Sequence, residues 1–244
     1  MYLTQGLHRS LQRQPDRIAL THLGDGDPRR HTFAGLADAV GRHAAALASR
    51  GVRSGDRVAL LAPNTDELVT ALLACWWLGA AAVPLNIRWS APELDHALGD
   101  SQAELLLVDP ALASLVALEP GLPVLTLPAF AEEARALQPL RDSRTGGDAL
   151  ACILYTGGTT GRSKGVMLSH ANFWSAAVAR GAELPNSPDS ITLLVAPLFH
   201  VAGLGRLIGQ TIVGGGCVTM PQYRPARVLQ AIEQDGVSDI IVVP

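Results

Sequence analysis

Short, continuously apolar runs recur along this chain at intervals that a helix would fill, and that alternation constrains the fold more than any other feature. Arg57-Val-Ala-Leu-Leu61 is one such run; others lie at 105–108, 124–127, 150–155, 191–195, around Val218 and at 239–243. Runs this short, with little polar alternation, predict strands buried on both faces, as in parallel sheets. The intervening segments read as helices. Between Phe33 and Arg50, Leu36, Val40, Ala44 and Leu47 recur at three- and four-residue intervals, with Gly51 as a stop. Further helices are expected at 3–14, at 91–98 behind the capping pattern Ser90-Ala-Pro-Glu93, from about Asn172, at 202–213 and at 227–234. One antiparallel element is expected, a hairpin of strands 17–23 and 30–33 around Gly24-Asp-Gly-Asp27. The predicted class is α/β, with mostly parallel sheets flanked by helices.

The stretch 68–85 carries no charge and approaches membrane-spanning length. Its punctuation argues for a buried helix followed by a short strand: Asn64-Thr-Asp-Glu67 is a helix start, Gly79 a stop, and Pro84 interrupts the rest. The first ten residues lack a basic segment followed by an apolar one, so a cytoplasmic location is expected. A net charge of −3 provides no basic field for nucleic acid, and 48% hydrophobic with 17% charged residues suits a folded globular chain. Cys75, Cys152 and Cys217 are far apart, without metal-ligand spacing, and are expected to be reduced, buried and structural. The polar segment 138–148 is the expected weak boundary between subdomains. The apolar finish Ile240-Ile-Val-Val-Pro244 reads as a cut through a larger fold, whose uncovered surfaces would allow a homo-oligomer.

The chemistry concentrates in Tyr155-Thr-Gly-Gly-Thr-Thr-Gly-Arg-Ser-Lys164-Gly-Val166. Glycines at 157, 158, 161 and 165 allow close backbone approach, so that N–H groups can converge on an anion. Thr156, Thr159, Thr160 and Ser163 add hydroxyls, and Lys164 adds a compact positive charge suited to phosphate. Thr159 or Thr160 is also placed to face a Mg2+ ion. The nucleoside-triphosphatase loop needs Gly-Lys-Ser/Thr, which fails here because Ser163 precedes Lys164 and Gly165 follows it. The dinucleotide pattern Gly-x-Gly-x-x-Gly fails too, both here and at Gly214-Gly-Gly216.

The loop resembles the signature of the adenylate-forming superfamily, Tyr-Thr-Ser-Gly-Thr-Thr-Gly-x-Pro-Lys-Gly-Val. The resemblance extends through Val58-Ala-Leu-Leu-Ala-Pro-Asn64, Leu78-Gly-Ala-Ala-Ala-Val-Pro-Leu-Asn86 and Ala196-Pro-Leu-Phe-His-Val-Ala-Gly203, nearly the whole chain. The chain departs from the signature twice. Gly157 stands where the family has serine, removing a hydroxyl donor, and Ser163 stands where it has proline, loosening the backbone.

What the resemblance implies is the amino-terminal part of an acyl- or aryl-CoA synthetase. A carboxylic acid would attack the α-phosphorus of Mg-ATP, and the thiol of coenzyme A would then displace AMP. Lys164 would supply charge to the phosphates, Thr156, Thr159, Thr160 and Ser163 hydroxyl donors, and Gly157, Gly158 and Gly161 backbone N–H groups. In Pro197-Leu-Phe-His200 the resemblance puts His200 on the acyl-pocket side, where amino-acid-activating relatives carry an aspartate. A neutral imidazole offers an ammonium no fixed anion, which turns the expected substrate towards fatty or aryl acids. The small residues of 202–216 fit either close helix–sheet packing or room for an acyl tail. His22, His31 and His43 fall on predicted element surfaces and His170 near a Ser169 cap, with no function assigned.

The family's Tyr-Gly-x-Thr-Glu and Thr-Gly-Asp segments and its carboxy-terminal lysine have no counterpart in these 244 residues. The expectation is therefore an incomplete ATP-binding domain over 1–244, lacking the rest of the large domain and the carboxy-terminal domain, with little or no adenylation alone. Two alternatives stay open: a non-catalytic nucleotide-binding remnant, and an amino-acid adenylation domain.

Overall fold

A computed structural model describes residues 1–116, 121–157, 162–183 and 186–242. In chain order the elements are α1 (Gln5–Arg13), β1 (Ile18–His22), β2 (Arg29–Thr32), α2 (Phe33–Ser49), β3 (Arg57–Leu61), α3 (Asp66–Leu78), β4 (Ala81–Pro84), α4 (Ala91–Ser101), β5 (Leu105–Val108), β6 (Val124–Thr126), α5 (Leu127–Arg135), β7 (Leu150–Thr156), β8 (Lys164–Ser169), α6 (His170–Glu183), β9 (Ile191–Leu194), α7 (Val201–Val213), β10 (Gly216–Thr219), α8 (Pro225–Gln234) and β11 (Asp239–Ile240). A 3-10 helix, Pro110–Leu115, follows β5.

The expected α/β class is what the chain forms. One sheet has the order β11-β9-β10-β1-β2, parallel except for the β1–β2 hairpin. The other has the order β6-β5-β3-β4-β7-β8, parallel except for β7–β8. Successive residues of the apolar strands serve different cores. Val58 and Leu60 join the cluster shared with α2, α3 and α7, while Ala59 and Leu61 join α4 on the outer face. A third cluster seats α8 against Leu193, Val218 and Met220 on the far side of the first sheet. The result is five layers, helices alternating with two sheets, and it accounts for strands apolar on both faces.

The uncharged stretch resolves as α3 and β4. Thr65 caps α3 by accepting the Leu68 N–H, and Gly79 ends it at φ 88°, a left-handed conformation that glycine adopts freely. No helix among the described residues is long and apolar enough to cross a membrane. Trp76, almost fully buried, donates its indole N–H to the Ala151 carbonyl at 2.9 Å and so ties α3 to β7.

Several boundaries differ from expectation by one to three residues, among them those of α6, α7 and α4. Helix α6 starts at His170, because Ser169 Oγ accepts the Asn172 N–H at 3.2 Å. Helix α7 starts at Val201, capped by His200. Helix α4 runs to Ser101, past the expected end at Leu98. The segment 138–148 has no helix or strand but is tied down along its length. Leu140 N–H donates to Gly41 O, Ser143 N–H to Trp77 O, and Gly147 N–H to Met1 O, each at 2.9 Å.

Candidate functional site

β7 and β8 make an antiparallel hairpin whose register sets Tyr155 opposite Gly165 and Thr156 opposite Lys164. β7 runs parallel to β4, so the hairpin leaves the sheet at the carboxyl ends of its parallel strands, where open α/β sheets bind ligands. Thr156, Gly157, Arg162 and Lys164 are exposed. Gly157, Arg162 and Ser163 line a cavity of about 460 Å³ whose opposite wall is Trp89, Pro92, Glu93 and His96. Gly165 is required by its partner: a Cβ there would lie 2.7 Å from Ile153 Cγ2 and 3.1 Å from Tyr155 Cζ. Four expected site residues, Gly158, Thr159, Thr160 and Gly161, lie outside the described residues, and with them the expected Mg2+ contact. Among the described residues, no group of three His, Cys, Asp or Glu side chains is arranged to hold a metal ion.

His200 belongs to the other sheet's carboxyl end and is not among the residues lining that cavity. It is exposed, and its Nδ1 accepts the Ala202 N–H at 3.2 Å, which leaves Nε2 as the protonated nitrogen of the neutral ring. The residue that sets this segment is one the sequence reading did not single out. Asn64 follows β3 and reaches across to the strand end of the first sheet, donating to Leu194 O and Ala196 O, both at 2.9 Å, and accepting the Leu198 N–H at 3.0 Å. One buried amide thus uses both donor hydrogens and its oxygen to lock the 194–198 turn. A Pro-Asn pair between an apolar strand and a capped helix was the available signal.

The small-residue stripe also separates into two kinds of position. At Gly203 a Cβ would meet Pro197 O at 2.3 Å and Ala196 O at 2.4 Å, so here glycine serves close packing. At Gly209 a Cβ would meet nothing within 4 Å among the described residues.

Residues 7–244 match the profile of a family described as "AMP-binding enzyme". The chain belongs to that family. Among curated AMP-binding relatives, the feruloyl-CoA synthase of an Amycolatopsis species is 39% identical over 97% of this chain and 47% of its own length. The 2-succinylbenzoate–CoA ligase of Bacillus subtilis (strain 168) is 34% identical over 97% of this chain and 48% of its own. The chain spans about half the length of the curated relatives it matches. Of solved structures, the B. subtilis O-succinylbenzoate coenzyme A synthetase in complex with AMP superposes with a TM-score of 0.86 at 32% identity, covering 97% of this chain and 60% of that one. The inhibitor-bound amino-terminal domain of FACL13 from Mycobacterium tuberculosis superposes with a TM-score of 0.90 at 30% identity, covering 100% of this chain and 63% of that one.

The structure corrects the reading of these histidines as surface residues. His22 and His43 are buried, because β1 is an interior strand and α2 is packed between other helices. Burial lowers the pKa of both rings. His22 bonds Thr219 Oγ1 at 3.0 Å, and His43 packs edge-on to Phe130. His31 is half-buried and points at Asp66. All three cysteines are buried and free, as expected, and burial pushes the Cys75 and Cys217 thiols up to about 12.

Asp66, 3% exposed at the start of α3, ties the β1–β2 hairpin to that helix by accepting both Arg29 Nε and Nη2 and, at 2.9 Å, His31 Nε2. Burial opposes its charge, but hydrogen bonds from Arg29 and His31 outweigh burial and hold its carboxyl well below the usual range. A depressed carboxyl contributes stability above its unfolded pKa, near 3.8, and loses it as pH falls towards the folded value. Asp66→Asn is therefore expected to cost roughly 2 kcal/mol at pH 7, moderated by the exposed Arg29 side chain. The difference in melting temperature should shrink as both proteins are taken from pH 5 to pH 2; a constant difference would remove the carboxylate's charge from the account.

Proposed function

We propose that this chain supplies the ATP-phosphate grip of a carboxylic acid–CoA ligase. The supporting observation is the β7–β8 hairpin, which presents Lys164 across from Thr156 at the carboxyl ends of parallel strands. In the whole protein, a carboxylate oxygen attacks the α-phosphorus of ATP, the bond to the pyrophosphate oxygen breaks, and an acyl-adenylate forms. The thiolate of coenzyme A then attacks the acyl carbon and AMP leaves. The hairpin acts through position and charge: Lys164, with the hydroxyls of Thr156 and Ser163, stabilises the negative charge that builds on departing pyrophosphate. A Mg2+ ion carried by the nucleotide would neutralise part of the same charge, and Thr159 or Thr160 is the proposed contact. We assign the acid to the aryl class, following the feruloyl and succinylbenzoate ligases it resembles and the imidazole at His200, and the compartment to the cytoplasm.

Titration of the purified chain with ATP, AMP and inorganic pyrophosphate tests the grip. Saturable millimolar or tighter binding of ATP and pyrophosphate is expected, and its absence would favour a nucleotide-binding remnant. A gain of function is also expected. Gly157 lies outside the left-handed region, and a Cβ there meets nothing within 4 Å among the described residues, so Gly157→Ser fits without strain. The restored hydroxyl should tighten pyrophosphate about tenfold, the lower end for a hydrogen bond to a charged group. An unchanged dissociation constant would mean that water already fills the serine's place.

A further inference from the structure

The two limbs of the hairpin are both bonded to one helix. On the outgoing limb, Tyr155 Oη lies 2.7 Å from Asp100 Oδ2 and 3.1 Å from Ala97 O. On the returning limb, Ser163 O lies 3.1 Å from His96 Nε2; a carbonyl only accepts, so the ring nitrogen is the donor. His96 and Asp100 stand one turn apart on α4, and the residues they hold bracket 156–162, with Ser163 immediately before Lys164. Helix α4 is itself a firm support. Glu93 accepts the Ser90 N–H at 2.8 Å and its hydroxyl at 2.7 Å, which caps the first turn, and Leu94, Ala97 and Leu98 are buried in the outer core. Trp89 meets the Tyr155 ring edge-on at a centroid distance of 5.9 Å and packs it further against this wall.

We propose that His96 and Asp100 are positioning residues for phosphate binding, holding the limbs of the hairpin at a fixed separation so that Lys164, which follows Ser163 directly, is preorganised before ATP arrives. The proposal rests on the phosphate-grip reading above. It accounts for a specific feature of this sequence: position 163 is serine, whose φ is free, and the His96 bond to its carbonyl restrains the same residue from its other side. His96 bonds Ser163 O and Asp100 bonds Tyr155 Oη, so the effect of both is assigned to the order of the hairpin.

The test compares the full chain with His96→Phe, which keeps ring bulk but has no donor, and with His96→Gln, which returns an N–H at similar reach. Two quantities are read: amide hydrogen exchange over 162–168, and the dissociation constant for inorganic pyrophosphate. His96→Phe should speed exchange and weaken pyrophosphate about 3- to 10-fold, the range for one net hydrogen bond, and His96→Gln should restore both to within about twofold. Tyr155→Phe, which deletes only the hydroxyl, should weaken pyrophosphate to a similar degree and decides the matter if His96→Phe does not fold. Wild-type affinity in His96→Phe, or equal losses in the Phe and Gln variants, would overturn the proposal while leaving the phosphate grip intact. Absence of pyrophosphate binding by the wild-type chain at 10 mM, an upper limit set about tenfold above weak millimolar binding, would instead overturn the grip and the positioning role together.

Discussion

Lys164→Ala, introduced into the ligase of which this chain is proposed to be part, is expected to slow acyl-adenylate formation by about 10²-fold or more. The reasoning starts from exposure. Lys164 opens β8 with its side chain in solvent, so truncation removes no packing and the melting temperature should stay within about 1 °C. What is lost is a preorganised charge beside a leaving group that gains negative charge in the transition state. The deficit should therefore persist at saturating ATP, in kcat as well as in kcat/KM. Full velocity at saturating nucleotide would remove Lys164 from the chemistry and leave it as a solvated surface residue.

Gly203→Ala is expected to destabilise the fold strongly for so small a substitution. Both atoms that a Cβ would strike, Pro197 O and Ala196 O, are backbone. They cannot withdraw easily, because Asn64 bonds Ala196 O and the Leu198 N–H from the other side, and Leu198 is fully buried. Overpacking against an immobile backbone should cost about 3 kcal/mol, more than the roughly 1 kcal/mol gained by replacing a helical glycine. The net loss of about 2 kcal/mol corresponds to a fall of about 4–8 °C in melting temperature for a chain of this size. Gly209→Ala is the control: with open space at that position, helix propensity alone should leave stability equal or slightly raised. Equal melting temperatures for the two variants would show that the 196–198 turn yields.

The contrast between these glycines marks where sequence reading stops. Both sit in the same small-residue stripe of one helix, and nothing local distinguishes them; the difference is a turn that Asn64 delivers from more than a hundred positions earlier. Local signals were read correctly: the alternation of strands and helices, Gly79 as a stop, the Ser90–Glu93 cap, and the strand after the phosphate loop. Their causes lie within a few residues. The burial of His22 was missed because the neighbour that covers it, β10, comes almost at the other end of the chain. In the same way the phosphate-binding role proposed for the loop was read from the loop's own residues. The bonds from His96 and Asp100 to the hairpin were not legible, because they join residues 55 to 67 positions apart in the chain.

The pairing of β1 with β10 also sets an order of events during synthesis. His22 and Thr219, bonded across that pair, are 197 positions apart. A ribosome adding about 5–20 residues per second needs roughly 10–40 s to deliver the second after the first. Every strand of the sheet that carries the hairpin, by contrast, lies between residues 57 and 169. The nascent chain can therefore assemble the sheet that carries the hairpin while its first strand is still waiting. β1 and β2 then remain a two-stranded ribbon with the β1 edge uncovered until β10 is made, a segment that a chaperone would have reason to shield.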